Sequence, residues 1–503
     1  MELRFNTKIQ LLEQIQELHQ HLDQPRIHWL PPGAKYFERH LNNLPRLKLA
    51  EDSHEADVVI GSYEQHLTKS SSAPYLLITD EQIYASELVT AILLKGYRLR
   101  NTRLFQRIQH PTPSGQHLRI LIITNLYPPQ ELGGYGRSIH DFAQNLKLQG
   151  HQVRVITSNA PYLGGDTRLD EDVNRSLVLM GTYEEKISLV HDPTERQKIA
   201  AHNKSALQRE IECMKPNTAL LGNLDMLGPE CIHQLLYNLV PCWHHFGFSD
   251  PAMLPFPATA IPEPGSGYHP VANSHFTARS LAPALEGYQP LPVIYPGAQT
   301  HLYVDLQPPT LGGPLRIAYA SLLIGAKGPH VLLEALARLE AMGIPFQCEM
   351  AGDHIDSSFR EQLLAFAQHA GISSQIRWLG KLERHQLREL FARNQIFVFP
   401  STWEEPFGIS QVEALAAGLL VVSSGTGGAG ETVHDDINGR RFKPGDSEDL
   451  AGVLREIYLY PQEHEHLRVR GRRLAQSHFD TAQESRKLSQ LMLAGVGRAA
   501  QYP

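Results

Sequence analysis

The sequence predicts an α/β protein built on parallel β-sheets, and two stretches support this most directly. Ile396 to Phe399 is a short apolar run, Ile409 to Ala417 has helix-forming composition, and Leu419 to Val422 is apolar again. Leu118 to Ile123, a helix-like segment and Val153 to Thr157 repeat this order earlier in the chain. Because strands joined through a helix run parallel, two such sheets are expected.

Length and composition restrict the functional classes. The 503 residues are enough for about three domains, and the net charge of −7 argues against nucleic acid as a partner. The four cysteines have no C-x-x-C spacing, which disfavours a zinc site and a disulfide framework and suits a reducing cytoplasm. No apolar run approaches the ~20 residues of a membrane span, and residues 1–20 do not resemble a signal peptide.

Residues 1–115 precede the two predicted sheets and form, by prediction, a small α/β extension of unknown role. Ile9 to Leu22 has apolar residues at helical spacing, and three segments have strand composition: Arg26 to Leu30, Asp57 to Ile60 and Tyr75 to Thr79. Residues 109–116 are rich in proline, serine and glycine, which is the composition of a linker.

A basic cluster lies near the end of this extension. Five cations between Lys95 and Arg107 have no acidic residue among them. Such a cluster can contact anionic lipid headgroups, so peripheral binding at the inner membrane face is one interpretation. The simpler interpretation is a solvated helix face.

The loop Pro400 to Gly408 is expected to bind an anion. In parallel sheets, ligands bind beyond the carboxyl ends of the strands, and Phe407 and Gly408 directly precede a helix. The helix N-terminus offers unpaired N–H groups and the positive end of the helix dipole, which favour phosphate. Glu405 precedes this helix and Glu413 lies about two turns into it, and carboxylates suit hydroxyl-rich ligands.

A second glycine-rich loop follows Leu118 to Ile123. Gly134 and Gly136 precede a helix with Ile139 and Phe142 on one face, so a ligand can approach the backbone there. A merely flexible loop is the alternative.

The ordered set of residues in the later unit resembles the donor-site signature of retaining glycosyltransferases with the GT-B fold, the family-4 group. The set comprises Pro400-Ser401, Glu405-Pro406-Phe407-Gly408, Glu413-Ala414, Gly418, Val421-Val422, Gly427-Gly428 and Glu431. The resemblance implies two Rossmann-like domains facing each other across a cleft, preceded by the extension. It places the acceptor domain at 116–300, the donor domain at 301–477, and a last helix, 478–495, packed back on the acceptor domain.

The resemblance also implies a reaction and its partners. A sugar would pass from a UDP-, GDP- or ADP-linked donor to a hydroxyl acceptor with retained anomeric configuration, in polysaccharide or glycolipid synthesis. No cofactor is implied, and the absence of an Asp-x-Asp or His/Cys cluster near the donor loop predicts no metal.

Individual roles follow from the same resemblance. Lys327 and the amides of Phe407, Gly408 and Ile409 would stabilise the departing diphosphate, Glu405 would orient the sugar hydroxyls, and Glu413 would hold the ribose.

Further roles concern the two faces of the cleft. Gly134 and Gly136 would close on the diphosphate, and Leu379 would contact the nucleotide base through its backbone. His245, preferred over His244, would contact the donor sugar. A core histidine bound to main chain remains the alternative for either histidine.

One residue departs from the family pattern. An arginine usually stands five positions before the lysine, and Leu322 occupies that position here. Arg137, Lys381 or another cation could supply the missing charge. Two other classes stay open: a degenerate transferase that only binds nucleotide or glycan, and a nucleotide-sugar epimerase with the same fold, for which no acidic pair is evident.

Overall fold

A computed structural model describes the backbone of five short strands within the first 116 residues and then residues 117–164, 172–184, 187–256, 260–354 and 357–499. The chain divides into two compact units, Met1–Gln116 and His117–Pro503. The predicted boundary at residue 115 lies beside this division.

The first unit contains a five-stranded sheet of order β2-β1-β3-β4-β5, in which only β5 is antiparallel to its neighbour. All three strands predicted in this part of the chain are present. The predicted helix, the basic cluster and the linker lie outside the described residues. The strands are β1 Arg26–Trp29, β2 Lys48–Leu49, β3 Val58–Ser62, β4 Tyr75–Ile78 and β5 Ile83–Ala85.

The second unit begins with a Rossmann-like domain, called the first domain below. Its six-stranded sheet has the order β13-β12-β11-β6-β7-β8 and is parallel throughout. The strands are β6 Arg119–Ile123, β7 Gln152–Ser158, β8 Val173–Leu177, β11 Thr218–Leu221, β12 Cys242–Phe246 and β13 Tyr268–Ala272, and a hairpin is formed by β9 Gly181–Thr182 and β10 Ser188–Leu189. The helices are α1 Tyr135–Leu148, α2 Pro193–Met214, α3 Glu230–Tyr237 and α4 His275–Leu281.

The second Rossmann-like domain, called the second domain below, has a parallel sheet of order β16-β15-β14-β17-β18-β19. Its strands are β14 Leu315–Ala320, β15 Phe346–Ala351, β16 Ile376–Gly380, β17 Ile396–Phe399, β18 Leu420–Ser423 and β19 Arg440–Arg441. Its helices are α5 Pro329–Ala341, α6 Ser357–His369, α7 Arg384–Arg393, α8 Ile409–Ala417, α9 Ser447–Leu459 and α10 Pro461–His478. Helix α8 lies between Gly408 and Gly418, whose φ angles of 91° and 85° suit glycine at both ends.

The last helix, α11 (Thr481–Ala499), packs on the first domain. Leu488 and Met492 are buried in the same core as Ile139 and Phe142 of α1. His151 Nε2 and Ser489 Oγ lie 2.6 Å apart within this contact. The chain therefore returns to the first domain after completing the second, as the resemblance implies.

Glu431 of the second domain connects the two domains directly. Its carboxylate accepts hydrogen bonds from the N–H groups of His275 and Phe276 at the start of α4, at 3.1 and 2.6 Å, and from Tyr295 Oη at 2.9 Å. A charged acceptor at a helix N-terminus is favoured by the helix dipole. This contact fixes the carboxyl edges of the two sheets against each other.

None of the helices that the structure describes is both long and apolar enough to cross a membrane.

Candidate functional site

The loop that carries Lys327 packs against the loop that carries Glu405. Lys327 ends a short 3₁₀ turn, and the next residue, Gly328, has a φ of 66°. A Cβ atom at Gly328 would lie 1.8 Å from the Pro400 carbonyl oxygen, so only glycine permits this approach. Thr402 N donates to Ala326 O at 2.9 Å across the same contact. The two loops therefore meet at the carboxyl ends of β14 and β17.

Lys327 and Glu405 form an ion pair at this meeting point. Lys327 Nζ lies 2.7 Å from Glu405 Oε1 and 2.8 Å from Oε2, and Ser401 Oγ donates to Oε1 at 2.7 Å. The Glu405 side chain is 4% exposed and that of Lys327 is 20% exposed. The Lys327 ammonium supplies the buried carboxylate with a charged partner, and the lysine side chain itself remains reachable from solvent.

The N-terminus of α8 adjoins this ion pair. Within the described residues, no side chain caps the first turn of α8. Phe407 is buried, and the centroid of its ring lies 5.4 Å from that of Tyr295 and 5.8 Å from that of Phe479. This packing holds the turn, so the first N–H groups of α8 point in a fixed direction beside Lys327.

Glu413 lies further along α8 and is buried. Tyr303 Oη donates to Glu413 Oε1 at 3.2 Å. Burial raises the pKa of Glu413 above the ordinary glutamate value, whereas the positive charges of Arg137 and Arg384 oppose this rise. No pattern along the chain identifies Tyr303 as this partner.

The two cations proposed to replace the missing arginine both contact Glu131. Arg137 Nη2 lies 2.8 Å from Glu131 Oε1, and Lys381 Nζ donates to the Glu131 carbonyl oxygen at 3.3 Å. Leu322 instead faces the glycine loop: its Cδ1 would lie 3.9 Å from a Cβ at Gly133. An apolar contact thus occupies the position where the family has a guanidinium.

Arg384 joins the two domains. It donates to both carboxylate oxygens of Asp141 on α1, at 3.0 and 2.8 Å. Gln299 Nε2 donates to the same carboxylate at 2.6 Å. The arginine is therefore held by the first domain.

The two predicted glycines have different surroundings. Gly134 is the residue before α1, and a Cβ there would lie 3.4 Å from Ile409 Cδ1, so Gly134 and Ile409 are brought together. Gly136 is buried, and a Cβ there would lie 3.4 Å from Leu126 O in its own domain. Gly134 borders the cleft, whereas Gly136 allows α1 to pack.

Leu379 lies near the carboxyl end of β16 and is half-buried against the core of the second domain. Gly380, which follows it, has a φ of 68°, and its carbonyl accepts from Gly352 N at 2.8 Å. The predicted backbone contact to a base stays a prediction.

His245 is fully buried with a protein partner at each ring nitrogen. Nδ1 lies 2.7 Å from Tyr135 Oη, and Nε2 lies 2.8 Å from the Ile294 carbonyl oxygen. Burial lowers the pKa of His245 to about 4. These contacts are those of the alternative interpretation, a core histidine bound to main chain. His244 is also buried, with Nδ1 2.9 Å from Tyr268 Oη.

Within the residues that the structure describes, no group of three or more His, Cys, Asp or Glu side chains could hold a metal ion.

Residues 307–474 match the family model for glycosyl transferases group 1. The second domain is a group 1 glycosyltransferase domain. Among the similar proteins, the *Mycobacterium tuberculosis* glycogen synthase is 30% identical over 182 residues, 36% of this chain and 43% of that protein. The *Rhodococcus erythropolis* D-inositol 3-phosphate glycosyltransferase is 27% identical over 38% of this chain and 46% of its own length. The chain thus spans less than half of these two relatives.

Similarity at the level of the fold extends over both domains. A *Mycolicibacterium smegmatis* GDP-mannose-dependent mannosyltransferase is 24% identical over 74% of this chain and 98% of its own. The crystal structure of a *Rickettsia africae* glycosyltransferase has a TM-score of 0.60 at 19% identity, covering 76% of this chain and 99% of that one. The crystal structure of Anabaena HepE in complex with UDP-glucose has a TM-score of 0.59 at 18% sequence identity. The similarity covers 75% of this chain and 100% of the HepE chain. The group 1 domain and its partner therefore form the predicted GT-B fold.

Proposed function

We propose that the protein transfers a sugar from a nucleotide-sugar donor to a hydroxyl acceptor and retains the anomeric configuration. The observation that carries this proposal is the Lys327–Glu405 ion pair beside the uncapped N-terminus of α8. One ammonium, several amides and one carboxylate are the groups needed to bind a diphosphate next to a sugar. The names of the related proteins, and the UDP-glucose bound to *Anabaena* HepE, support the same class of donor.

The ion pair suggests how the donor is used. The diphosphate accepts hydrogen bonds from Lys327 and the α8 amides, which stabilise the negative charge that develops on the leaving oxygen. Glu405 accepts hydrogen bonds from sugar hydroxyls. The bond between the anomeric carbon and the phosphate oxygen breaks, the acceptor oxygen bonds to that carbon on the same face, and the acceptor proton passes to the departing phosphate. Glu413 holds the ribose, which does not change during the reaction.

A degenerate transferase that only binds nucleotide is the second candidate. It is favoured by Leu322, whose side chain faces the glycine loop where a guanidinium would otherwise stabilise the leaving group. The loss of one charged hydrogen bond is worth ~1.5 to 3 kcal/mol, which slows a reaction without excluding it. Transfer is the stronger candidate because Lys327 and the α8 amides remain.

The test is release of free nucleotide from UDP-glucose, GDP-mannose and ADP-glucose, with nucleotide binding measured by calorimetry in parallel. We expect release from one donor, and release should persist in excess EDTA because no metal takes part. Binding without release identifies the degenerate transferase. Activity that disappears with EDTA and returns with manganese contradicts the role given to Lys327.

For localisation we propose the cytoplasm, with peripheral contact to anionic lipid through the basic cluster at 95–107. Sedimentation of the full chain with phosphatidylserine vesicles, compared with neutral vesicles, tests the lipid contact. If the protein sediments equally with both kinds of vesicle, the basic cluster is better interpreted as a solvated helix face.

A further inference from the structure

Trp403 lies in the loop Pro400 to Gly408 with 41% of its surface exposed, although Ser401 and Glu405 on either side of it are buried. Its indole ring covers the Lys327 ammonium, and Lys327 Nζ lies 5.1 Å from the centroid of the ring. A cation within about 6 Å of an aromatic face is attracted by the ring quadrupole, and tryptophan attracts it most strongly. The ammonium therefore has an aromatic neighbour in addition to its carboxylate partner.

The main chain fixes Trp403 beside Lys327. Ser401 Oγ donates to the Ala326 carbonyl oxygen at 2.9 Å, and Thr402 Oγ1 lies 3.3 Å from the same oxygen. Ala326 directly precedes Lys327, and Thr402 directly precedes Trp403. The lysine and the tryptophan thus leave this contact side by side.

A second contact holds the other end of the same segment. Gly428 N donates to the Glu405 carbonyl oxygen at 2.6 Å. A Cβ at Gly427, where φ is 57°, would lie 2.4 Å from this oxygen and 2.9 Å from the Glu404 carbonyl carbon, so the approach requires glycine. The backbone that carries Trp403 is held from two sides, which places the ring over Lys327 without packing in a core.

The ammonium changes its partner in the proposed reaction. In the structure, Lys327 Nζ donates to both carboxylate oxygens of Glu405. In the proposed mechanism, Lys327 donates to the diphosphate and Glu405 accepts from the sugar. A lysine ammonium on its flexible stem is free to move once it leaves a carboxylate. The indole has no acceptor atom, so its ring attracts the cation and leaves the ammonium N–H bonds available for phosphate oxygens.

We propose that Trp403 is a positioning residue, whose ring keeps the Lys327 ammonium at the diphosphate while Glu405 binds the sugar. The inference rests on the proposed transferase function, since it assigns a further residue to the same site. A tryptophan that contacts the donor directly would act without Lys327, and the two roles give different results in one experiment.

That experiment is a double-mutant cycle of Trp403→Leu with Lys327→Met, measured on the donor that the protein uses. Trp403→Leu alone should lower kcat roughly 3- to 30-fold, the factor that corresponds to one cation–π contact. Trp403→Phe keeps an aromatic face and should lose less. In the Lys327→Met protein, Trp403→Leu should have no further effect, because the ammonium through which it acts is gone.

Two further measurements need no turnover. Calorimetric titration of UDP, GDP and ADP should show the same coupling in the dissociation constant of the nucleotide that binds. Indole emission reports the contact itself: the chain has four tryptophans, and the difference between the wild-type and Trp403→Phe spectra isolates Trp403. The same difference taken in the Lys327→Met protein should be altered, since a charge 5.1 Å from the ring is removed.

Tyr460→Leu is the matched control. Tyr460 is an aromatic residue of the second domain and is 54% exposed, so its replacement should keep turnover and nucleotide affinity. Trp403 is also exposed, so both variants should unfold at temperatures near that of the wild type.

The outcomes separate the ring from the reaction. Wild-type turnover in Trp403→Leu, or an equal loss with and without the Lys327 ammonium, overturns the inference, and the equal loss identifies a ring that contacts the donor. Coupling in nucleotide affinity or in emission, without turnover of any donor, supports the position of Trp403 and refutes the transferase. Turnover with independent effects of the two substitutions does the reverse.

Discussion

Glu405 of the second domain and Asp141 of the first domain take their charged partners from different places. In the second domain, Glu405 is bound by Lys327 and Ser401, and Glu413 is bound by Tyr303. In the first domain, Asp141 is bound by Arg384 of the second domain, which donates to both carboxylate oxygens. A face whose groups are already paired is preorganised for one kind of ligand, because little reorganisation is needed on binding. Asp141 instead gains its cation where the two domains meet.

The strongest test of the preorganised face is Lys327→Met. We assign this ammonium to the leaving diphosphate, so we expect turnover to fall roughly 100- to 1,000-fold. Thermal unfolding should also shift downward, because Glu405 would be buried without its cation. Steady-state kinetics and calorimetric unfolding measure the two effects.

Lys443→Met is the matched control, since Lys443 is exposed on the same domain. A surface ion pair of this kind contributes little, so the control should keep turnover and stability. Turnover near the wild-type value in the Lys327 variant would show that its ammonium does not act on the leaving group.

The two glutamates of the second domain should separate binding from turnover. Glu405→Gln should lower kcat with little change in nucleotide affinity, and Glu413→Gln should mainly weaken nucleotide binding. Each change removes hydrogen bonds to a charged group, ~1.5 to 3 kcal/mol or roughly 10- to 150-fold. The measurement combines steady-state kinetics with titration of free nucleotide. Normal nucleotide binding by the Glu413 variant would refute its assignment to the ribose.

A pH series sharpens the assignment of Glu413. Because burial raises its pKa, Glu413 takes up a proton at a higher pH than an ordinary glutamate. The protonated side chain no longer offers a negative charge to the ribose hydroxyls. Nucleotide affinity should therefore fall as the pH decreases through this raised pKa. Glu413→Gln should lack this component, so titrations of both proteins over the same pH range separate it from protonation of the phosphates. Identical pH profiles would contradict the prediction.

The smallest expected effect concerns the contact between the domains. A double-mutant cycle with Arg384→Gln and Asp141→Asn should give a coupling of about 1 to 2 kcal/mol in the free energy of unfolding, since the pair is bidentate and mostly buried. The exposed pair Lys147–Asp172 is the control and should couple by less than about 1 kcal/mol. Equal couplings would show that the interdomain pair adds no rigidity.

The same contrast explains which parts the sequence could predict. The bounds of β17 and α8 agree with the prediction because the signals for them are local in the sequence. These signals are an apolar strand, a glycine at each end of the helix and a second apolar strand. Lys327 and Glu405 were predicted separately, yet their pairing depends on Gly328 passing close to Pro400, a contact between distant loops.

The first domain gave fewer local signals for its polar residues. His245 is fixed by Tyr135 and Ile294, which lie 110 and 49 positions away, so spacing along the chain could not show that both ring nitrogens are engaged. Glu431 belongs to the motif, but its contact with α4 follows from how the domains meet, which no pattern within one domain encodes.

The return of α11 to the first domain has a consequence for synthesis on the ribosome. Leu488 and Met492 complete the core around Ile139 and Phe142, although they are made roughly 200 residues after the last strand of that sheet. At 5 to 20 residues per second this interval is roughly 10 to 40 seconds. During that time, the apolar face of α1 lacks its final cover, so a nascent chain stalled before residue 488 would be the form most prone to aggregate.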